Sequence, residues 1–288
     1  MTITPTFAFL LAFAGFFAGG LGALVGVGGG VLLVPALVLV FHVPFPVAVA
    51  ASLVAVVATS TSAGSVYVGT GMTNVRLGVA LELATTLGGL AGGIAASHVP
   101  QRALLVLFAA VVFVTAFLLA RAKDPTVKKA TALVGAERGW EERDRLAGAY
   151  VDVRRGELVH YEADRVWIGN SVAFLAGGVS GMLGVGGGFL KVPAMNLGMK
   201  VPIRVAAATS NFMIGVTAAS SLFLYVGRGA VVPAVAAPVA LGVVVGSILG
   251  TRVAGKFSAN VLRRILAFVL FVTAVQLVMR SVGVSLGS

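Results

Sequence analysis

Eight apolar runs, separated by short polar or charged loops, fill the chain outside one segment. They cover roughly 7–41, 46–68, 77–97 and 101–120, then 166–199, 204–226, 231–254 and 259–280. Most are about 20 residues long, enough for an α-helix to cross a hydrocarbon core of roughly 30 Å. The first run of each set of four is too long for that, since about 35 residues at 1.5 Å rise would reach about 52 Å. Both long runs break at the same place. GVGGGVLLVP from Gly26 to Pro35 returns as GVGGGFLKVP from Gly184 to Pro193, 158 residues on. Three consecutive glycines followed by a proline make a poor helix interior, through backbone entropy and a missing donor. The pattern therefore predicts residues 7–25 and 31–41 as two pieces joined by a non-helical turn, with 166–183 and 189–199 alike. Each pair forms either a re-entrant hairpin or two short spans.

The 158-residue register continues well beyond the breaks. It pairs Pro44 with Pro202, Ser52 with Ser210, Thr59 with Thr217, Tyr67 with Tyr225, Gly88 with Gly246 and Gly92 with Gly250. The chain is an internal repeat. A segment that returns to its own side, followed by three spans, crosses the membrane an odd number of times, so the second half is expected upside down. With residues 121–165 in the cytoplasm, inversion puts Arg76, Lys200, Arg204, Arg252, Lys256, Arg263 and Arg264 inside. Arg102, Arg228 and Arg280 fall outside. That distribution follows the positive-inside bias. The predicted fold is an all-α polytopic membrane protein with two inverted repeats, 1–121 and 166–288, around a cytoplasmic polar linker at 122–165. Broken helices in inverted repeats are a common build of secondary transporters.

Composition agrees: 58% of residues are hydrophobic, 11% are charged and the mean hydropathy is +1.03. Cysteine is absent, which removes disulfides, thiol catalysis and thiolate metal sites. Nine of the ten acids lie in residues 121–165, and Glu82 is the single carboxylate elsewhere, against eleven cations. Much of that excess is topology signal and contact with anionic lipid. A membrane body so poor in acids nevertheless suits an anion better than a cation. The N-terminal run lacks a basic n-region and has a mid-chain counterpart near Trp167–Leu175, so it belongs to the fold and is not read as a signal peptide.

In the linker, residues 128–149 have the composition of an amphipathic surface helix. Residues 149–163 alternate like a small hairpin about Arg155–Gly156. A solvated connector is the plain reading, and a regulatory or partner-binding role the other.

Candidate site residues follow from the breaks. Gly26, Gly28, Gly29 and Gly30, with Gly184, Gly186, Gly187 and Gly188, leave backbone groups that protein, water or ligand must satisfy in lipid. Helix N-termini after them would present N–H groups to an anion. The alternative is that small residues only let helices approach. Pro35 and Pro193 close the breaks. Lys191, at the repeat position of Leu33, either contacts substrate or snorkels to the cytoplasmic face. Glu82, opposite Ala240 in the register, carries a coupling proton or pairs with Arg76 or Lys191. Ser52, Thr209, Ser210 and Asn211 offer neutral donors to an oxyanion, or hydrogen bonds between helices. His42 and His98 fall at loop ends. Neither a catalytic constellation nor metal-ligand spacing occurs, so neither enzyme activity, metal nor cofactor is expected. A small anion, the lipid bilayer and protons are the expected partners, without nucleic acid. A homo-oligomer is compatible with the sequence.

Paired GxGGGxxxxP breaks, a serine-bearing helix after each, two similar halves and a polar central linker resemble the sulfite exporter TauE/SafE family. This is also called the 4-toluene sulfonate uptake permease family. The resemblance covers about 1–121 and 166–288 and leaves the linker unmatched. It implies transport of small sulfur-containing or organic anions such as sulfite, sulfoacetate or related sulfonates across the bacterial inner membrane, without enzymatic activity. Lys191 departs from the family's usual apolar character after the second break. The rivals to this expectation are an uncoupled anion uniporter or channel, and a non-transporting membrane scaffold.

Overall fold

A computed structural model describes residues 4–69, 71–121, 146–152 and 157–253, with Phe268, Phe271, Ala274 and Val275 of the last apolar run. The first half contains α1 (Pro5–Val25), α2 (Gly30–Pro35), α3 (Phe45–Gly69), α4 (Val75–Ala95) and α5 (Gln101–Arg121). The linker contributes β1 (Gly148–Asp152) and β2 (Glu157–Tyr161). The second half contains α6 (Val166–Leu183), α7 (Gly188–Pro193), α8 (Ile203–Gly227) and α9 (Pro233–Val253). Six of these helices are long and apolar enough to cross a membrane: α1, α3, α4, α6, α8 and α9. The protein is an all-α polytopic membrane protein, as the apolar runs predict.

Both bounds of α2, α3 and α4 recur 158 residues later in α7, α8 and α9. Finer details recur as well. After Pro35 and Pro193 the helix widens into π turns at Ala36–Val40 and Ala194–Gly198. Proline has no N–H for the preceding ladder, and its ring crowds the turn before it. A wider i→i+5 register accommodates both effects. Each π turn ends in a left-handed residue, His42 at φ 53° and Lys200 at φ 59°.

The long first runs double back. The Phe7 and Phe41 rings meet edge to face with centroids 5.5 Å apart, so the chain after the break returns to the level where α1 began. In the second half the Asp164 amide donates to the Met199 carbonyl at 3.1 Å, closing the equivalent hairpin. Both arrangements left open by the pattern double back in this way, and α1 is itself long enough to cross. Helix α3 then runs alongside α1, and the Tyr67 hydroxyl donates to the Ala23 carbonyl at 3.2 Å. Tyr225 does the same to Gly181, also at 3.2 Å.

The most extensive helix packing joins the halves: α1 on α9, α4 on α6 and α3 on α8. Gly15 lies against Val239 and Gly19 against Val243, so α1 and α9 point the same way. Gly88 lies against Phe174 and Gly92 against Gly178, so α4 and α6 also run together. At Gly88, Gly92, Gly177 and Gly181 an added Cβ would overlap the facing backbone. Small residues here allow the close approach that drives helix association in lipid. Both threonine hydroxyls of the Thr59–Thr61 turn of α3 are satisfied within the helix, with Thr59 donating to Ala55 at 2.9 Å and Thr61 to Val57 at 2.9 Å.

Strands β1 and β2 pair antiparallel with Tyr150 opposite Val159, as the alternation about Arg155–Gly156 predicts. The surface helix expected over 128–149 falls mostly outside the described residues. Its end, from Leu146, is instead a turn and the start of β1. Tyr150, Val159 and Ala163 are buried with Leu77, Leu81, Val192, Met199 and Val205, so this end of the linker is packed into the membrane body.

Candidate functional site

At the centre the two glycine turns interlock. Gly28 and Gly186 adopt φ of 84° and 83°, a region that costs an L-residue roughly 1–2 kcal/mol. Both lie against Val56 and Ile214, themselves one repeat apart. Gly30 abuts the Gly184 carbonyl, and Gly188 abuts the Gly26 carbonyl. Each carbonyl receives a serine from the helix of the other half. Ser52 donates to Gly184 at 2.7 Å, and Ser210 donates to Gly26 at 3.0 Å. A helix break inside lipid needs such partners, since no water replaces the lost ladder. Gly29 faces the Ala18 carbonyl and Gly187 the Ala176 carbonyl. In this conformation the glycines and both serines are engaged with one another.

Among the other sequence candidates, Thr209 accepts from the Asn74 amide at 3.0 Å. The Asn211 amide donates to Ala23 at 3.0 Å, while its buried Oδ1 has no partner. Ser60, one of the hydroxyls on the run that carries Ser52, donates to the Asn211 carbonyl at 2.6 Å and braces α8 from α3.

Polar chemistry gathers behind the second break. Lys191 is 2% exposed, so it reaches no surface, and the snorkelling alternative is corrected. The cause is its register. One turn into α7, with the break behind it and α8 across from it, the stem points inward. Lys191 Nζ donates to Thr217 Oγ1 at 3.0 Å, and Thr217 Oγ1 donates to Glu82 Oε1 at 2.7 Å. Thr86 adds a bond to the same oxygen at 3.3 Å. Glu82 Oε2 stands 3.8 Å from the ammonium and is buried without a hydrogen bond. Of the two cations that sequence offered to Glu82, the structure selects Lys191 over Arg76. Thr217 joins the pair; in the sequence it was one of several hydroxyls on its run and the repeat match of Thr59. The site thus holds a short relay, ammonium to hydroxyl to carboxylate, with one carboxylate oxygen left over.

The symmetry of the halves stops at this cluster. The positions equivalent to Lys191, Glu82 and Thr217 are Leu33, Ala240 and Thr59, and Thr59 is turned back onto its own helix.

Against the cytoplasmic-facing side expected from the charges sits the hairpin. Asn74 caps α4 by accepting from Leu77 N at 3.0 Å, and its Nδ2 donates to Leu146 O and to Tyr161 Oη, each at 3.1 Å. Burial holds the Tyr161 phenol above its ordinary pKa, with the Asn74 bond pulling it down. Nearby, the exposed Asp164–Lys200 pair at 2.6 Å holds Asp164 below the ordinary carboxylate value.

The family model for the sulfite exporter TauE/SafE matches residues 11–277, nearly the whole chain. The chain belongs to the sulfite exporter TauE/SafE family. With it comes the class of a multi-pass bacterial membrane transporter. The TauE/SafE chain is similar to the probable membrane transporter protein YunE of Bacillus subtilis (strain 168), 26% identical over 277 residues and covering 93% of this chain and 96% of that protein. It is also similar to a probable membrane transporter protein of Xylella fastidiosa (strain 9a5c), 28% identical over 262 residues and 90% of each. No solved structure matches it significantly.

Proposed function

We propose that this protein exports a small sulfur-containing or organic anion (sulfite, sulfoacetate or a related sulfonate) by alternating access, with proton movement through Glu82. The observation that carries this reading is the buried Lys191–Thr217–Glu82 cluster beside two interlocked backbone breaks. An ionisable group buried at membrane depth is expensive and marks a pathway by default. In this reading the halves are inverted repeats that rock against each other about α3 and α8, with residues 122–165 in the cytoplasm. The shared directions of α1 with α9 and of α4 with α6, together with the doubled-back first runs, support the inversion. The breaks are packed shut here, which corresponds to an occluded state. When the halves part, Lys191 and the amide-bearing turns at Gly28–Gly30 and Gly186–Gly188 become the cradle, with Ser52, Thr209, Ser210 and Asn211 around it.

Flux of sulfite and sulfoacetate into proteoliposomes, with and without an imposed pH gradient, tests the proposal. Saturable flux accelerated by the gradient is the expected result. Absence of flux with every sulfur oxyanion would overturn it, and flux indifferent to pH would leave an uncoupled uniporter.

A further inference from the structure

Helices α2–α4 and α7–α9 match in bounds, and the halves share π turns, left-handed residues and serine bonds, yet among the described residues the buried charge is confined to one side. Lys191, Glu82 and Thr217 face one another behind the second break, whereas Leu33, Ala240 and Thr59 occupy the mirror position. We infer that the protein has one anion site, at the Lys191 ammonium, and that Glu82 is a tethered carboxylate occupying that ammonium whenever the site is empty. The incoming anion displaces the carboxylate, which takes up one proton from water as it leaves. This rests on the transport reading and adds site number, occupant and stoichiometry to it.

Three observations carry the inference. First, the pair is incompletely made: Glu82 Oε2 lies 3.8 Å from Nζ with no hydrogen bond, while Oε1 is held by Thr217 and Thr86. A permanent structural pair would be expected to satisfy both oxygens, because half-satisfied buried charge is costly. Second, among the described residues the groups bonded or paired to Glu82 are Lys191 from α7, Thr217 from α8 and Thr86 from its own α4, so a single ammonium there is available to two anions. Third, buried charge must balance in both states. Lysine with carboxylate is neutral, and lysine with a monovalent anion is neutral only when the carboxyl is protonated. Entry of an anion without a proton leaves a net buried negative charge, which the low-dielectric site opposes.

The test uses the whole protein in detergent, in weak buffer near neutral pH, with methanesulfonate as probe, since its sulfonate carries no proton there. Binding heat and a pH indicator are read together. One proton is taken up per anion bound, and affinity falls about tenfold for each pH unit through the range where Glu82 is ionised. Glu82→Gln, which fixes the neutral form, binds about tenfold tighter or better, without proton uptake or pH slope, because the competing carboxylate is gone. The double variant Glu82→Ala/Lys191→Leu copies the mirror half, keeps its fold and binds nothing. Binding without proton uptake by the unaltered protein overturns this inference and leaves the transport reading standing. Absence of any binding, with methanesulfonate and sulfite alike, overturns both. Two anions per chain, or binding by the double variant, also overturns the inference.

Discussion

Ser52 and Ser210 each spend their hydroxyl on a carbonyl that a broken helix cannot satisfy. Replacing either by alanine leaves a fully buried carbonyl without that partner, at about 1–3 kcal/mol. Thermal unfolding in detergent is expected to show a lowered midpoint for both variants, by similar amounts, because the two bonds are one bond repeated. A drop in only one would mean that the halves are not energetically equivalent there. The pairing of these serines was legible in the register of the sequence. Their targets were not, because a hydroxyl on an apolar helix carries no record of what the opposing element presents. Glu82 posed the same problem. Two cations lay within reach by sequence, and only the inward turn of α7 after the break selects Lys191.

At the scale of elements, the linker hairpin is the least symmetric part. Its alternation was readable, but its docking was not: Tyr150 and Val159 look like any half-buried strand pair until Leu77, Val192 and Met199 are brought beneath them. Asn74 ties this packing together, with one side chain that caps α4 and holds both Leu146 and Tyr161. Asn74→Ala should lose a cap of about 1 kcal/mol and the hairpin tether together. Tyr161→Phe should lose the tether alone. Hydrogen exchange over β1 and β2 is expected to quicken in both variants, while α4 loosens only in the first. The phenol adds a pH dependence of definite sign. With its folded pKa raised above an ordinary value of about 10, docking is fully stabilised below that pH and weakens as pH rises through the folded value. An ultraviolet titration compared with Tyr161→Phe should place this phenol's midpoint above 10 on that scale.

For the whole molecule, duplication and membrane character were plain from the apolar runs, whereas the interleaving of the halves was not. Repeats alone are compatible with two bundles side by side. Here α1 packs on α9 and α4 on α6, so each half supplies the other's seams. A chain divided between residues 121 and 146 is therefore expected to yield two fragments that are unstable when made separately and co-purify as one folded unit when made together. Recovery of either fragment alone as a stable, monodisperse species would contradict this.

The Lys191–Glu82 contact also bears on how the protein is made. The two residues lie 109 positions apart, so Glu82 enters the membrane long before its cation has been synthesised. A carboxylate without a counter-charge is strongly disfavoured there. During biosynthesis the first half must either carry Glu82 as the neutral acid or remain beside the insertion machinery until α7 arrives. The newborn chain thus meets, in time, the same choice between proton and cation that the finished carrier meets in each cycle.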